Sequence, residues 1–182
     1  LSLPAVVAQL SSVLMQYIDA SMVGHLGANE AASIGLVSTT TWLFSGLLAS
    51  LSTGFAVQIA HRIGAGEIEN ARSIVRQAYF SMLCWSTLLM TIAFSISPFL
   101  PGWLGANTDI HAGATLYFSI YALTMPILGL HWISGAMLRC SGNIKVPSFL
   151  GICMCALDVI FNFFLIFPTR TLDVLGHSFT VW

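Results

Sequence analysis

Charge is what this sequence has least of. Six Lys and Arg and seven Asp and Glu are spread over 182 residues, 7% of the chain, against roughly 25% in an ordinary soluble domain. So few charges cannot cover the surface of a water-soluble domain of this size, which nearly excludes a cytosolic globular enzyme. A net charge of −1 leaves no basic face for a nucleic acid. The four cysteines form no framework: Cys84, Cys153 and Cys155 sit in apolar stretches and Cys140 beside a basic turn, as small packing residues rather than a metal or redox site. There is no GxxxxGK[ST], no HExxH and no GxSxG, and Gly64-Ala-Gly66 is no dinucleotide turn. What is abundant is apolar: 57% hydrophobic residues and a mean hydropathy of +0.86. That excludes disorder and leaves a polytopic membrane protein.

Runs nearly free of charge supply the segments. Leu1–Asn29 holds only Asp19, Val146–Thr169 only Asp158, and Ala31–Ala60, Gln77–Thr108 and Ile110–Leu138 hold none. Each exceeds the roughly 20 residues a helix needs to cross the hydrocarbon core, where the backbone must satisfy itself. The expected spans are five helices at about 2–24, 34–60, 75–99, 113–138 and 147–168, with 169–182 an outer loop. A barrel would instead show ten-residue alternating strands. Arg62, Arg72 and Arg76 fall between the second and third spans, and Arg139 and Lys145 between the fourth and fifth; only Arg170 lies elsewhere. This asymmetry puts loops 61–74 and 139–146 in the cytoplasm. Leu1 already lies in an apolar run, without Met or a basic leader. The odd number of spans and the polar tail mark the chain, on this reading, as a piece of a larger protein with a sixth helix to follow. The string LGAN occurs at Leu26–Asn29 and again at Leu104–Asn107, each time after an outward span.

Some polar residues do not belong against lipid. A carboxylate at mid-bilayer costs about 2.5–3.5 kcal/mol on insertion scales, so Asp19 and Asp158 each need a partner, water or a proton. Gln9, Ser12, Gln16 and Asp19 share one helical face, as do Gly151, Cys155, Asp158 and Asn162. Asp158 and Asn162, one turn apart, offer hard oxygen ligands for Na⁺ or a proton site with an adjacent hydrogen bond. Asn162 can equally be plain interhelical glue. Tyr117, Tyr121, Thr124 and His131 form a stripe on the fourth span, where Pro126 frees the Ala122 carbonyl and predicts a kink. Gln9, Gln16, Tyr121 and His131 are candidates to line a cavity, with packing as the plainer alternative. Gly46, Ser50 and Gly54 make a small-residue ridge suited to close helix approach.

Four stretches resemble the amino-terminal part of multidrug and toxic compound extrusion (MATE) transporters: PAVVAQLSSVLMQYIDASMVGHLGANEAAS from Pro4, STGFAVQIAHRIGAGEIENARSIVRQA over Ser52–Ala78, LRCSGNIKVPSF over Leu138–Phe149, and LDVIFNFFLIF over Leu157–Phe167. The resemblance implies an all-α fold of twelve helices in two six-helix bundles, of which this chain supplies five helices of the first. It implies a cation-coupled antiporter in the cell membrane (the bacterial inner membrane) that exports drugs or organic cations, with no cofactor beyond H⁺ or Na⁺. The acid late in the first helix matches Asp19, and the polar pair of the fifth matches Asp158 and Asn162. Part of the family reads Asn then Asp there and other members carry two Asn; this chain reads Asp then Asn, which leaves H⁺ and Na⁺ both open. The inner turn departs from the usual RGxGDTKxP by carrying Asn143 in place of Asp. In the mechanism implied, Asp19 and Asp158 approach each other, an ion neutralises them, and the first helix repacks by bending near Pro4, with Pro126 a second hinge. The partners would be an amphipathic cationic or neutral cargo, the lipid bilayer and the carboxy-terminal half of the same transporter. The competing readings are a lipid-linked oligosaccharide flippase of related fold, a membrane-embedded enzyme, and a truncated fragment without function.

Overall fold

The computed structural model describes residues 2–24, 27–166, 170–174 and 177–181. It is built from helices α1 (Ser2–Gly24), α2 (Ala28–Gly64), α3 (Ile68–Ile96), α4 (Leu100–Trp103), α5 (Thr108–Cys140) and α6 (Lys145–Ile166). Strands β1 (Arg170–Val174) and β2 (His177–Val181) then pair antiparallel, Arg170 opposite Val181 and Val174 opposite His177. Among the described residues, α2, α3, α5 and the Lys145–Asn162 part of α6 are long and apolar enough to cross a membrane.

The helices differ from the apolar runs for a physical reason. Charge marks the edge of the hydrocarbon, but it does not end a helix. So α2 continues through Arg62, and α3 begins before Arg72 and Arg76. The apolar runs likewise hid the short helix α4, whose first turn carries Pro101. The tail expected as loop holds the β1–β2 hairpin.

Three helix ends close with one hydrogen-bond pattern. Past α2, the Gly66 amide donates to the Ile63 carbonyl and the Glu67 amide to the Arg62 carbonyl. Past α4, Gly105 and Ala106 bond the Gly102 and Pro101 carbonyls, and past α5, Gly142 and Asn143 bond those of Arg139 and Leu138. This is the Schellman cap, which satisfies carbonyls the helix leaves unpaired. It needs a left-handed residue, and Gly66, Gly105 and Gly142 have φ of 77°, 81° and 83°. The two LGAN copies each place a positive-φ glycine, Gly27 or Gly105, just ahead of the next long helix.

The chain folds as two compact units, one built on α1 and α6 and the other spanning Ala32–Asn143. In the second unit, α3 buries Ala71, Ala78, Met82, Ser86, Leu89 and Ala93, and α5 buries Ala114, Phe118, Ala122, Met125, Gly129, Ile133 and Ala136. Both sets recur at helical spacings of three, four or seven residues and are mostly small, so the backbones come close. A Cβ on Gly129 would stand 3.1 Å from Ser86 Cβ and 3.2 Å from Met82 Sδ. α2 adds Val37, Phe44, Leu48 and Ile59. Its small-residue ridge is not the packed face: Gly46, Ser50 and Gly54 are exposed, and no described atom comes within 4 Å of a Cβ placed on Gly46 or Gly54. Trp42, Phe80, Leu88 and Ile127 point outward, as expected where acyl chains are the solvent.

Many hydroxyls in this unit bond helix carbonyls or one another. Thr87, Thr91 and Ser95 bond back to the carbonyls of Leu83, Thr87 and Thr91. The Tyr79 hydroxyl donates to Ser134 Oγ at 2.9 Å, joining α3 to α5. With no water available, such internal pairing is what permits polar atoms at this depth.

Candidate functional site

The polar centre of the first unit is one amide between two acids. Asp19 stands five residues before the end of α1; Asp158 and Asn162 stand one turn apart on α6. The Nδ2 of Asn162 donates to Asp19 Oδ1 at 2.9 Å and to Asp158 Oδ2 at 3.0 Å. One NH₂ group thus spends both hydrogens on two carboxyl groups, and the accepting oxygens lie no more than about 6 Å apart. All three side chains are half-buried. The cation of α6, Lys145, is thirteen residues from Asp158 along the helix, about 20 Å at the α-helical rise.

This arrangement has two acids, one neutral amide and, among the described residues, no cation paired with either acid. Two carboxylates this close repel, and a proton or an alkali ion relieves the repulsion. Asn162 serves the two cases differently. Its amide nitrogen, turned to both acids as observed, suits a carboxyl pair. Coordination of Na⁺ would need the amide turned over, so that Oδ1 joins the carboxylate oxygens as a hard donor. No group of three His, Cys, Asp or Glu gathers for a metal among the described residues.

The other expected site residues lie apart from this trio. Gln9 and Gln16 are exposed on α1, as is His131 on α5; the Ser12 side chain lies outside the described residues. Tyr121 is engaged with α2: its hydroxyl donates to the Thr41 carbonyl at 2.9 Å and lies 2.7 Å from Ser45 Oγ. Neither Thr41 nor Ser45 was expected, although their four-residue spacing puts both on one face of α2. Pro4 occupies the first turn of α1, where a proline removes no helical hydrogen bond. α5 runs as one helix through Pro126, and Ala122, whose carbonyl loses its amide donor there, is fully buried.

The MatE family profile matches residues 4–164. The probable multidrug resistance protein NorM of Xanthomonas axonopodis pv. citri is 26% identical over 164 residues, covering 83% of this chain and 35% of its own. The multidrug resistance protein PmpM of Pseudomonas aeruginosa is 26% identical over 185 residues, covering all of this chain and 38% of its own. This chain therefore spans little more than a third of the length of these curated relatives. In fold it is similar to a MOP superfamily transporter from Pyrococcus furiosus, with a TM-score of 0.87 at 21% identity over 92% of this chain and 37% of that one. It is similar as well to a MATE protein crystallised with MaD3S, with a TM-score of 0.85 at 21% identity over 89% and 36%. The apolar helices, their order and a profile match that covers all six of them almost end to end lead to one assignment: this chain belongs to the MatE family of multi-pass membrane proteins.

Proposed function

We propose that the chain is the amino-terminal part of a secondary transporter that exports drugs or other toxic organic compounds in exchange for H⁺ or Na⁺. The names of the relatives NorM and PmpM support the class. The observation that carries the coupling role is the sharing of one Asn162 amide between Asp19 and Asp158, on two different helices. An ion arriving there changes the balance of repulsion between α1 and α6, and so how they fit together. It shifts the transporter between states only by its differential affinity for them. Gln9, Gln16, Tyr121 and His131 are the proposed cavity-lining residues, and Pro4 and Pro126 the proposed hinges. The spans carry no Lys or Arg at mid-membrane, which favours cationic or neutral cargo over an anionic lipid-linked sugar.

The test uses the complete transporter in everted vesicles with a fluorescent cationic drug. Asp19→Asn and Asp158→Asn are each expected to abolish gradient-driven efflux while drug binding persists. Full efflux by both variants would end the proposal. Imposing a pH gradient and a Na⁺ gradient separately identifies the coupling ion.

A further inference from the structure

Where α2, α3 and α5 meet near the α2–α3 turn, the chain builds a feature that includes none of the residues proposed for coupling. A recess of about 400 Å³ is walled by Ile59 and Ile63 of α2, Ile68 and Val75 of α3 and Met137 of α5, with Arg72 at its edge. The wall is mostly aliphatic, with the Ser141 hydroxyl as its neutral polar group, but its surroundings are cationic. Arg62 lies between the two isoleucines of α2, Arg76 follows Arg72 by one turn on α3, and Arg139 lies just beyond Met137. Two acids sit among them: Glu69 pairs with Arg72 at 2.9 Å and Glu67 with Arg62 at 2.6 Å. Both partners of the Arg72–Glu69 pair are mostly exposed, and such pairs hold weakly. Among the described residues no ion pair engages Arg76 or Arg139, so positive charge is in excess.

Depth decides what fits. The arginines mark the level at which apolar helix gives way to headgroups. α2, with 37 residues, rises about 55 Å and reaches that level and beyond. A small soluble anion has no use for the isoleucine wall, and a neutral lipid has none for the arginines. We propose that this recess seats part of an acyl chain of an anionic phospholipid, whose phosphate is held by Arg72 and Arg76. Basic pockets between helix ends bind such headgroups by this charge complementarity. The site lies wholly on α2, α3 and α5, so its failure would leave the coupling proposal on α1 and α6 untouched.

Native mass spectrometry of the chain, released from micelles doped with equal phosphatidylglycerol and phosphatidylcholine, tests it. One phosphatidylglycerol should be retained about fivefold or more over phosphatidylcholine. The double variant Arg72→Gln/Arg76→Gln, altering exposed side chains only, should bring the two lipids to parity. Lys145→Gln, outside the recess, should leave the preference intact, and Val75→Trp should expel both lipids. The proposal is overturned by equal retention in the unaltered chain, by a preference surviving the double arginine change, or by Lys145→Gln erasing it as fully. If circular dichroism shows that Val75→Trp unfolds, the exposed arginine pair decides alone.

Discussion

Replacing Asn162 with Leu keeps its bulk and withdraws the two hydrogens that Asp19 and Asp158 accept. Half-buried acceptors left without a donor cost about 1–3 kcal/mol, so Asn162→Leu is expected to lower the thermal unfolding midpoint in detergent. Adding Asp158→Asn restores an amide to the cluster and should recover part of the loss. Thr115 gives the opposite sign. Its Oγ1 is buried without a partner among the described residues, while its carbonyl accepts from both Ser97 and Ser119. Thr115→Val keeps the shape and removes the unpaired hydroxyl, and should raise the midpoint slightly, by up to about 1 kcal/mol of stability. The acids were legible in the sequence because a carboxylate deep in an apolar run needs a partner; Asp19, five residues from the end of α1, had interfacial placement as its plainer alternative. The amide that joins them was legible only as a neighbour on one helix. Which of its atoms faces which acid depends on the packing of α1 against α6, and helical spacing carries no information about that.

Between elements, α3 and α5 approach closely at Gly129. Gly129→Val would drive methyl groups into Ser86 and Met82. Overpacking of this kind costs about 1–3 kcal/mol, and Met82→Ala should recover part of it in a double-mutant cycle read by thermal unfolding. The α2–α3 turn is expected to respond to acid. The Asn70 amide, and then the Arg62 guanidinium, hold the Glu67 carboxyl below its ordinary 4.5. A carboxyl depressed by folding contributes stability that is present above its unfolded pKa and is lost as pH falls through the lower, folded one. The amides of Gly66–Asn70 should therefore exchange faster, after correction for intrinsic rates, as the pH falls below 4.5 and through the lower folded value. Glu67→Gln should remove that dependence. Long helices were readable from apolar runs because lipid demands continuous apolarity. Their ends were not, because α2 and α3 extend through arginines that water can solvate. Tyr121 shows the same limit: its stripe on α5 was visible, but its grip on Thr41 and Ser45 depends on where α2 lies beside it.

For the whole molecule, the uneven placement of the basic residues is the testable feature. With Arg62, Arg72, Arg76, Arg139 and Lys145 all between the expected second and third or fourth and fifth spans, Ala65→Cys should react with a membrane-impermeant maleimide only from the cytoplasmic face, and Asn107→Cys only from the opposite one. Reaction of both from the same side would overturn the topology. Membrane character was legible from composition alone, whereas the division into an α1–α6 unit and an Ala32–Asn143 unit was not, since it joins segments far apart in the chain. The shared closure of three helix ends bears on heredity as well as on folding. Every single-base change that replaces glycine with another amino acid brings in a side chain, and of those products only aspartate tolerates left-handed backbone. In a randomly mutagenised gene under drug selection, codons 66, 105 and 142 should therefore stand out as cold spots, with aspartate the mildest survivor.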